Sequence, residues 1–299
     1  MKQTLITSLI LILLNVCASS QQDEINQTDN SFISSESNIS THKKKLNFFV
    51  VSKRQKGKLD LATRFNVFRS KIKSLFRPKK FVAIIAKNGE QMSAKVMYRL
   101  KKHNARIGTI WFDSHGMYKK GYSLFLIGED EISYKTLKDS SLASSFRQLA
   151  AFSDSETKLV VGSCYGGATY HRASIDYKDT TRMNGDSLMI IIGELLKNVT
   201  VYASESWVMT KPGLFLKRAA VTGYPGRKLF LDVCYQPAWE NAGKWNEYNA
   251  YTNNFRSVTP VTLDMYGNVI LRTLSYTDKK EVQKEISKNL EKMQPGLYK

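Results

Sequence analysis

The stretch Lys158-Leu-Val-Val-Gly-Ser-Cys-Tyr-Gly-Gly167 decides the fold. It opens as an uninterrupted apolar run of strand length and ends in a glycine-rich loop that carries a cysteine. A strand without polar alternation is covered on both faces, the condition of a parallel sheet. Working outward, the same texture recurs in Phe81-Val-Ala-Ile-Ile-Ala86, Ile107-Gly-Thr-Ile-Trp-Phe112 and Val199-Thr-Val-Tyr-Ala203. Helical spacing lies between these runs. Met92, Val96, Met97 and Leu100 recur at three- and four-residue intervals, Leu142 to Phe152 reads as a helix, and so does Asp186 to Lys197, with a carboxylate near its start where the helix dipole favours one. Tyr122 to Ile127 reads as a short strand. Buried strands alternating with helices predict an α/β, three-layer architecture: a mostly parallel central sheet flanked by helices, with its chemistry at the strands' carboxyl ends.

Composition agrees with a packed enzyme-sized domain and excludes wholesale disorder, since 42% of the 299 residues are apolar and 11% aromatic. The formal charge of +19 suggests a polyanion partner until its position is traced. Residues 43–80 hold fourteen Lys or Arg against Asp60 alone, so the basicity is local and predicts no specific nucleic-acid interface. Within that segment Leu61, Phe65, Phe68, Ile72, Leu75 and Phe76 recur at helical spacing among Arg64, Arg69, Lys71 and Lys73, the pattern of a basic amphipathic helix closed by Pro78. Its stripe either docks on the following domain or rests on an anionic membrane surface. As a propeptide it would cover the cleft and offer basic sites for self-cleavage.

The amino-terminal residues 1–20 read as an export signal: Lys2, then an apolar run from Leu5 to Val16, then small residues. That run falls short of the roughly 20 residues a membrane-spanning helix needs. Cleavage after Ala18 would discard Cys17, whereas Leu14-Asn-Val-Cys17 also reads as a lipoprotein box that would place a lipid anchor on Cys17. Either way the expectation is an exported chain, secreted, periplasmic or at the cell surface. Residues 21–42, rich in Ser, Asn, Gln and Thr, read as a disordered tether. The domain plan is then a signal over 1–20, a tether over 21–42, a basic segment over 43–80, a catalytic domain over 81–210 and a β-containing extension over 211–299 that completes or flanks it. In that extension Lys228 to Cys234 reads as a strand, Gly243 to Tyr251 as a surface lid or wall, Pro260 to Leu274 as a hairpin about Tyr266-Gly-Asn268, and Lys279 to Met293 as a helix.

Two loops stand out chemically. Asp113-Ser-His-Gly116 follows one core strand and Gly162-Ser-Cys-Tyr-Gly-Gly167 follows another. Both leave the edge where a parallel sheet exposes its loops, so His115 and Cys164 can meet although distant in sequence. A thiol becomes a strong nucleophile when an imidazole takes its proton. Gly116 allows close backbone approach, so its N–H and that of Cys164 suit an oxyanion hole. The structural alternatives are a small core cysteine and a satisfied histidine. A disulfide from Cys164 to Cys234 would exclude the catalytic reading.

Apolar strand, Ser-His-Gly, about 50 residues, apolar strand, then Cys-x-Gly resembles the caspase-like cysteine peptidases over roughly residues 81–207. The resemblance implies a caspase-like fold, peptide-bond hydrolysis through an acyl-enzyme, His115 and Cys164 as the catalytic dyad, the Gly116 and Cys164 amides as the oxyanion hole, a protein or peptide substrate and no cofactor. Gly162-Ser163 stands where caspases carry Gln-Ala, so aspartate specificity is not implied. Asp113, Ser204 and Glu205 are candidates for the substrate pocket, where an acid would favour Arg or Lys.

Other classes meet specific objections. A cysteine α/β-hydrolase needs its histidine well after the nucleophile, and His171 is the last in the chain. No metal is expected, because Gly128-Glu-Asp-Glu131 lacks the ligand spacing of a calcium loop. A surface-displayed, non-catalytic binding module for polyanions or membranes is the alternative from a different class.

Overall fold

A computed structural model describes residues 44–53, 81–119, 122–138, 141–172, 180–205, 208–211, 220–222, 245–258, 261–264 and 266–271. The expected signal, tether, amphipathic helix, Lys228 to Cys234 strand and Lys279 to Met293 helix lie outside the described residues.

In chain order the first elements are β1 (Lys44–Ser52), β2 (Phe81–Ala86), α1 (Gly89–Lys102) and β3 (Ala105–Asp113), followed by a small antiparallel sheet of β4 (Gly116–Lys119), β5 (Tyr122–Ile127) and β6 (Asp130–Ile132). Next come α2 (Ser141–Arg147), continued by a 3-10 turn over Gln148–Phe152, then β7 (Lys158–Gly162), the pair β8 (Tyr170–Arg172) and β9 (Thr180–Arg182), α3 (Gly185–Leu196) and β10 (Thr200–Ser204). The pair β11 (Met209–Lys211) and β12 (Ala220–Thr222) precedes β13 (Trp245–Asn249), β14 (Asn254–Val258) and the hairpin β15 (Val261–Leu263) and β16 (Val269–Leu271). The main sheet runs β2-β1-β3-β7-β10-β13-β14; its first five strands are mutually parallel and the last two antiparallel. The chain is therefore α/β with a mostly parallel sheet, as the apolar runs predict.

Alternation along each strand divides the core. Leu46, Phe48, Ile110, Phe112, Leu159, Val161, Val201 and Ala203 face one side, where Met92, Val96 and Leu100 of α1, Leu142 and Phe146 of α2 and Leu188, Ile192 and Leu196 of α3 complete one cluster. Phe49, Val51, Trp111, Val160, Tyr202 and Trp245 face the other, under Val261 and Leu263. Helices were expected on both faces; among the described residues they share one face, and the β15–β16 hairpin covers the other. An aromatic row, Phe49 to Trp111 at 6.5 Å and Trp111 to Trp245 at 6.2 Å between ring centroids, ties three strands together.

Two expectations are corrected. Residues 44–52 are not part of a separate basic segment: β1 lies between β2 and β3, so the sheet domain begins well before residue 81. Leu46-Asn-Phe-Phe-Val-Val51 has the core texture, but the lysines on either side mask it. A propeptide that included β1 could not leave without opening the sheet. Nor do residues 245–249 of the expected surface lid form one. Trp245 and Tyr248 are buried in β13, and the inward Glu247 receives two hydrogen bonds from Arg256 of β14, at 2.6 and 2.9 Å. The hairpin about Gly267 is present: the Asp264 carboxylate accepts the amides of Tyr266 and Asn268 at 2.7 and 2.8 Å, and Gly267 adopts a φ of 83° that favours glycine.

The acidic turn at residues 128–131 serves α1. Asp130 Oδ2 accepts the Gly89 amide at 2.7 Å, while the Asn88 side chain caps Gln91 at 2.8 Å. Among the described residues no group of His, Cys, Asp and Glu is assembled for a metal ion, and no helix is long and apolar enough to cross a membrane.

Candidate active site

Strand register sets the site. Asp113 of β3 pairs with Gly162 of β7, and Val161 of β7 pairs with Ala203 of β10, so three parallel strands end nearly level. The loops carrying His115, Cys164 and Glu205 leave from that one edge, as expected for chemistry on a parallel sheet.

The His and Cys loops touch through their backbones. A Cβ placed on Gly116 would fall on the Cys164 carbonyl oxygen and lie 2.8 Å from the Cys164 nitrogen. Only glycine allows that approach. Gly162 has a matching constraint, since a Cβ there would run into the Trp111 indole and come within 2.7 Å of the Phe112 carbonyl oxygen.

Several bonds hold the cysteine turn. Tyr165 adopts a left-handed φ of 59°, and its carbonyl accepts the Ala168 amide at 3.0 Å. The Gly167 amide donates to the Ser204 carbonyl at 2.8 Å, and Asn246 Nδ2 donates to the Gly167 carbonyl at 3.0 Å. The Ala168 carbonyl accepts the Gly185 amide at the start of α3, also at 3.0 Å. The nucleophile candidate thus rests on β10, β13 and α3. His115 is exposed, and its carbonyl accepts the Leu126 amide of β5 at 3.2 Å and the Ser114 hydroxyl at 3.3 Å. The small antiparallel sheet therefore fixes the histidine loop.

Cys164 is a free thiol. Cys164 is half-buried, and burial pushes the thiol up. The amides of Val208, Cys164 itself and Gly116 pull in the opposite direction. Sγ donates to the Val208 carbonyl at 3.9 Å.

The remaining candidates share the edge. Asp113 is the half-buried last residue of β3, and Ser204 is the buried last residue of β10, whose main chain anchors Gly167. Glu205 follows it, half-buried. Val208, Trp111 and Asn246 escaped the sequence reading. An apolar residue, a core indole and a surface amide carry no local signal of a role, and only the fold brings them to the cysteine turn.

The chain matches no model of a known protein family, and no curated protein is significantly similar to it.

Proposed function

We propose that this chain is an exported cysteine endopeptidase of caspase-like fold. The observation that carries the reading is the backbone contact of Gly116 with Cys164 at the carboxyl edge of adjacent parallel strands. It sets the residue after the histidine against the main chain of the cysteine.

In the reaction the His115 imidazole takes the thiol proton, and the Cys164 thiolate attacks the peptide carbonyl carbon. The oxyanion is received by the Gly116 and Cys164 N–H groups, where preorganised donors act on developing charge. His115 returns the proton to the departing amine, leaving a thioester. Water, deprotonated by His115, attacks that thioester and releases the carboxylic acid and the thiol. Asp113 and Glu205, beside the dyad loops, favour a cationic side chain in the substrate. A positional-scanning peptide library showing no preference for Lys or Arg would remove that assignment.

Thiol-dependent hydrolysis of peptide substrates, lost in both Cys164→Ala and His115→Ala, tests the proposal. Activity that survives either substitution would remove the dyad.

A further inference from the structure

The parallel strands of the main sheet start on the edge opposite the candidate dyad. Helices α1 and α3 end there, because each returns the chain to the start of β3 or β10. Cations gather on this amino edge. Lys44 opens β1, Lys158 opens β7, Arg99, Lys101 and Lys102 lie in the last turn of α1, and the exposed Lys197 ends α3. Lys45 and Arg106 stand among them, paired with Asp154 and Glu156 of the loop before β7. The helix dipole accounts for cations at the ends of α1 and α3 but not for those at strand starts. Two exposed rings share the edge. Tyr98, near the end of α1, is 49% exposed with the Lys102 ammonium 5.6 Å from its ring centroid, and Tyr251, in the turn from β13 to β14, is 69% exposed. The opposite edge carries the acids Asp113, Glu129, Asp130 and Glu205 beside Lys53 and Lys87, so charge is polarised along the strands.

We propose that the amino edge docks on an anionic lipid membrane, with the edge bearing His115 and Cys164 turned away from it. Lysine and arginine near an anionic leaflet are attracted to its headgroups, and tyrosine favours the boundary between headgroup and acyl chain. Cations at the ends of four separate elements, with rings among them, present both features on one side of the domain. The rings favour lipid over duplex nucleic acid, whose phosphates take cations but offer an exposed tyrosine no apolar boundary. The amino-terminal sequence, read as an export signal or a lipid anchor, joins the fold on this same edge through Lys44. This surface is distinct from the basic pattern of residues 61–76, since it is built from the sheet domain itself.

Cosedimentation of the full chain with vesicles tests the docking, on phosphatidylcholine alone and on phosphatidylcholine containing about one-third phosphatidylserine. The ratio of the two affinities is read, so that uncharged attachment through the amino-terminal apolar run cancels. The parent chain should prefer the anionic vesicles. Lys101→Gln with Lys197→Gln, exposed residues at the ends of two helices, should lower the ratio about thirtyfold, the effect of removing two cations close to a charged surface. Lys44→Gln with Lys102→Gln, an independent pair, should lower it comparably. Lys53→Gln with Lys87→Gln is the control of equal charge. The nine residues of β3 set the two edges about 30 Å apart, roughly three Debye lengths at about 0.1 M salt, so this pair should change the ratio less than about twofold. No preference of the parent chain for anionic vesicles would overturn the proposal. So would equal losses in the edge and control pairs, which would assign the binding to net charge. Duplex DNA bound as tightly as the anionic vesicles, with the same losses in the edge pairs, would overturn the lipid assignment. Peptide cleavage is not read, so the outcome is independent of the peptidase reading.

Discussion

Gly116→Ala probes the junction of the two loops without touching either reactive side chain. The added methyl would overlap the Cys164 carbonyl oxygen and press within 2.8 Å of the Cys164 carbonyl carbon and nitrogen. Backbone cannot rotate away as a side chain tip can, so one loop must move. The Cys164 turn is held by the Gly167, Ala168 and Gly185 amides and by Asn246, which leaves the His115 loop to give way. Overpacking of this kind costs about 1–3 kcal/mol, and at about 2–4 °C per kcal/mol for a domain of this size the expected fall in Tm is roughly 2–12 °C. Moving the Gly116 amide also displaces one donor of the proposed oxyanion site, worth a factor of about 10²–10³ in kcat. Urea unfolding followed by circular dichroism reads the first effect, and peptide hydrolysis reads the second. Stability within about 0.5 kcal/mol of the parent chain would refute the close approach on which the site is built.

Further outcomes follow from other parts of the sheet. Trp111→Ala should cost about 3–5 kcal/mol in urea unfolding, and Trp111→Phe much less, because the buried indole N–H finds no hydrogen-bond partner among the described residues. Arg256→Ala strands the Glu247 carboxylate, only 8% exposed, beside Tyr202, whose hydroxyl is pushed up by burial and then by that carboxylate. A loss of about 1–3 kcal/mol is expected, with Glu247→Gln in the same background restoring part of it. Lys45 and Arg106 hold Glu156 down at about 2 from its ordinary 4.5. Because the folded-state value is depressed, that contribution is complete above about pH 4.5 and is lost as pH falls toward 2. Glu156→Gln should flatten the acid limb of the stability curve measured by urea titration between those values. An unchanged limb would show that the ion pairs do not form.

The sheet was legible wherever a strand is apolar on both faces. Phe81–Ala86 and Lys158–Gly162 fall where their uninterrupted runs place them, and Ile107 to Phe112 extends by only a few residues to Ala105–Asp113. β1 was hidden because its apolar residues lie within the most basic stretch of the chain, and charge counted over 43–80 outweighs a short run inside it. β13 was hidden by Glu247, a buried acid whose partner Arg256 becomes visible only once β14 turns back beside it. The loops bearing His115 and Cys164 could be found because glycines mark places where backbones approach, and Gly116 and Gly162 do approach a neighbouring loop or ring. The contact of Val208 with the sulfur could not be found this way. It arises from the path of the chain after β10, which no local pattern specifies.

In the proposed peptidase one imidazole and one thiol act together at the edge of this sheet. Thiol-dependent cleavage of a peptide library by the parent chain, by Cys164→Ala and by His115→Ala tests that pairing. Cleavage by the parent chain should fall by about 10³ or more when either dyad residue is replaced. Cleavage that persists without Cys164 or without His115, or none from the parent chain, would overturn the dyad.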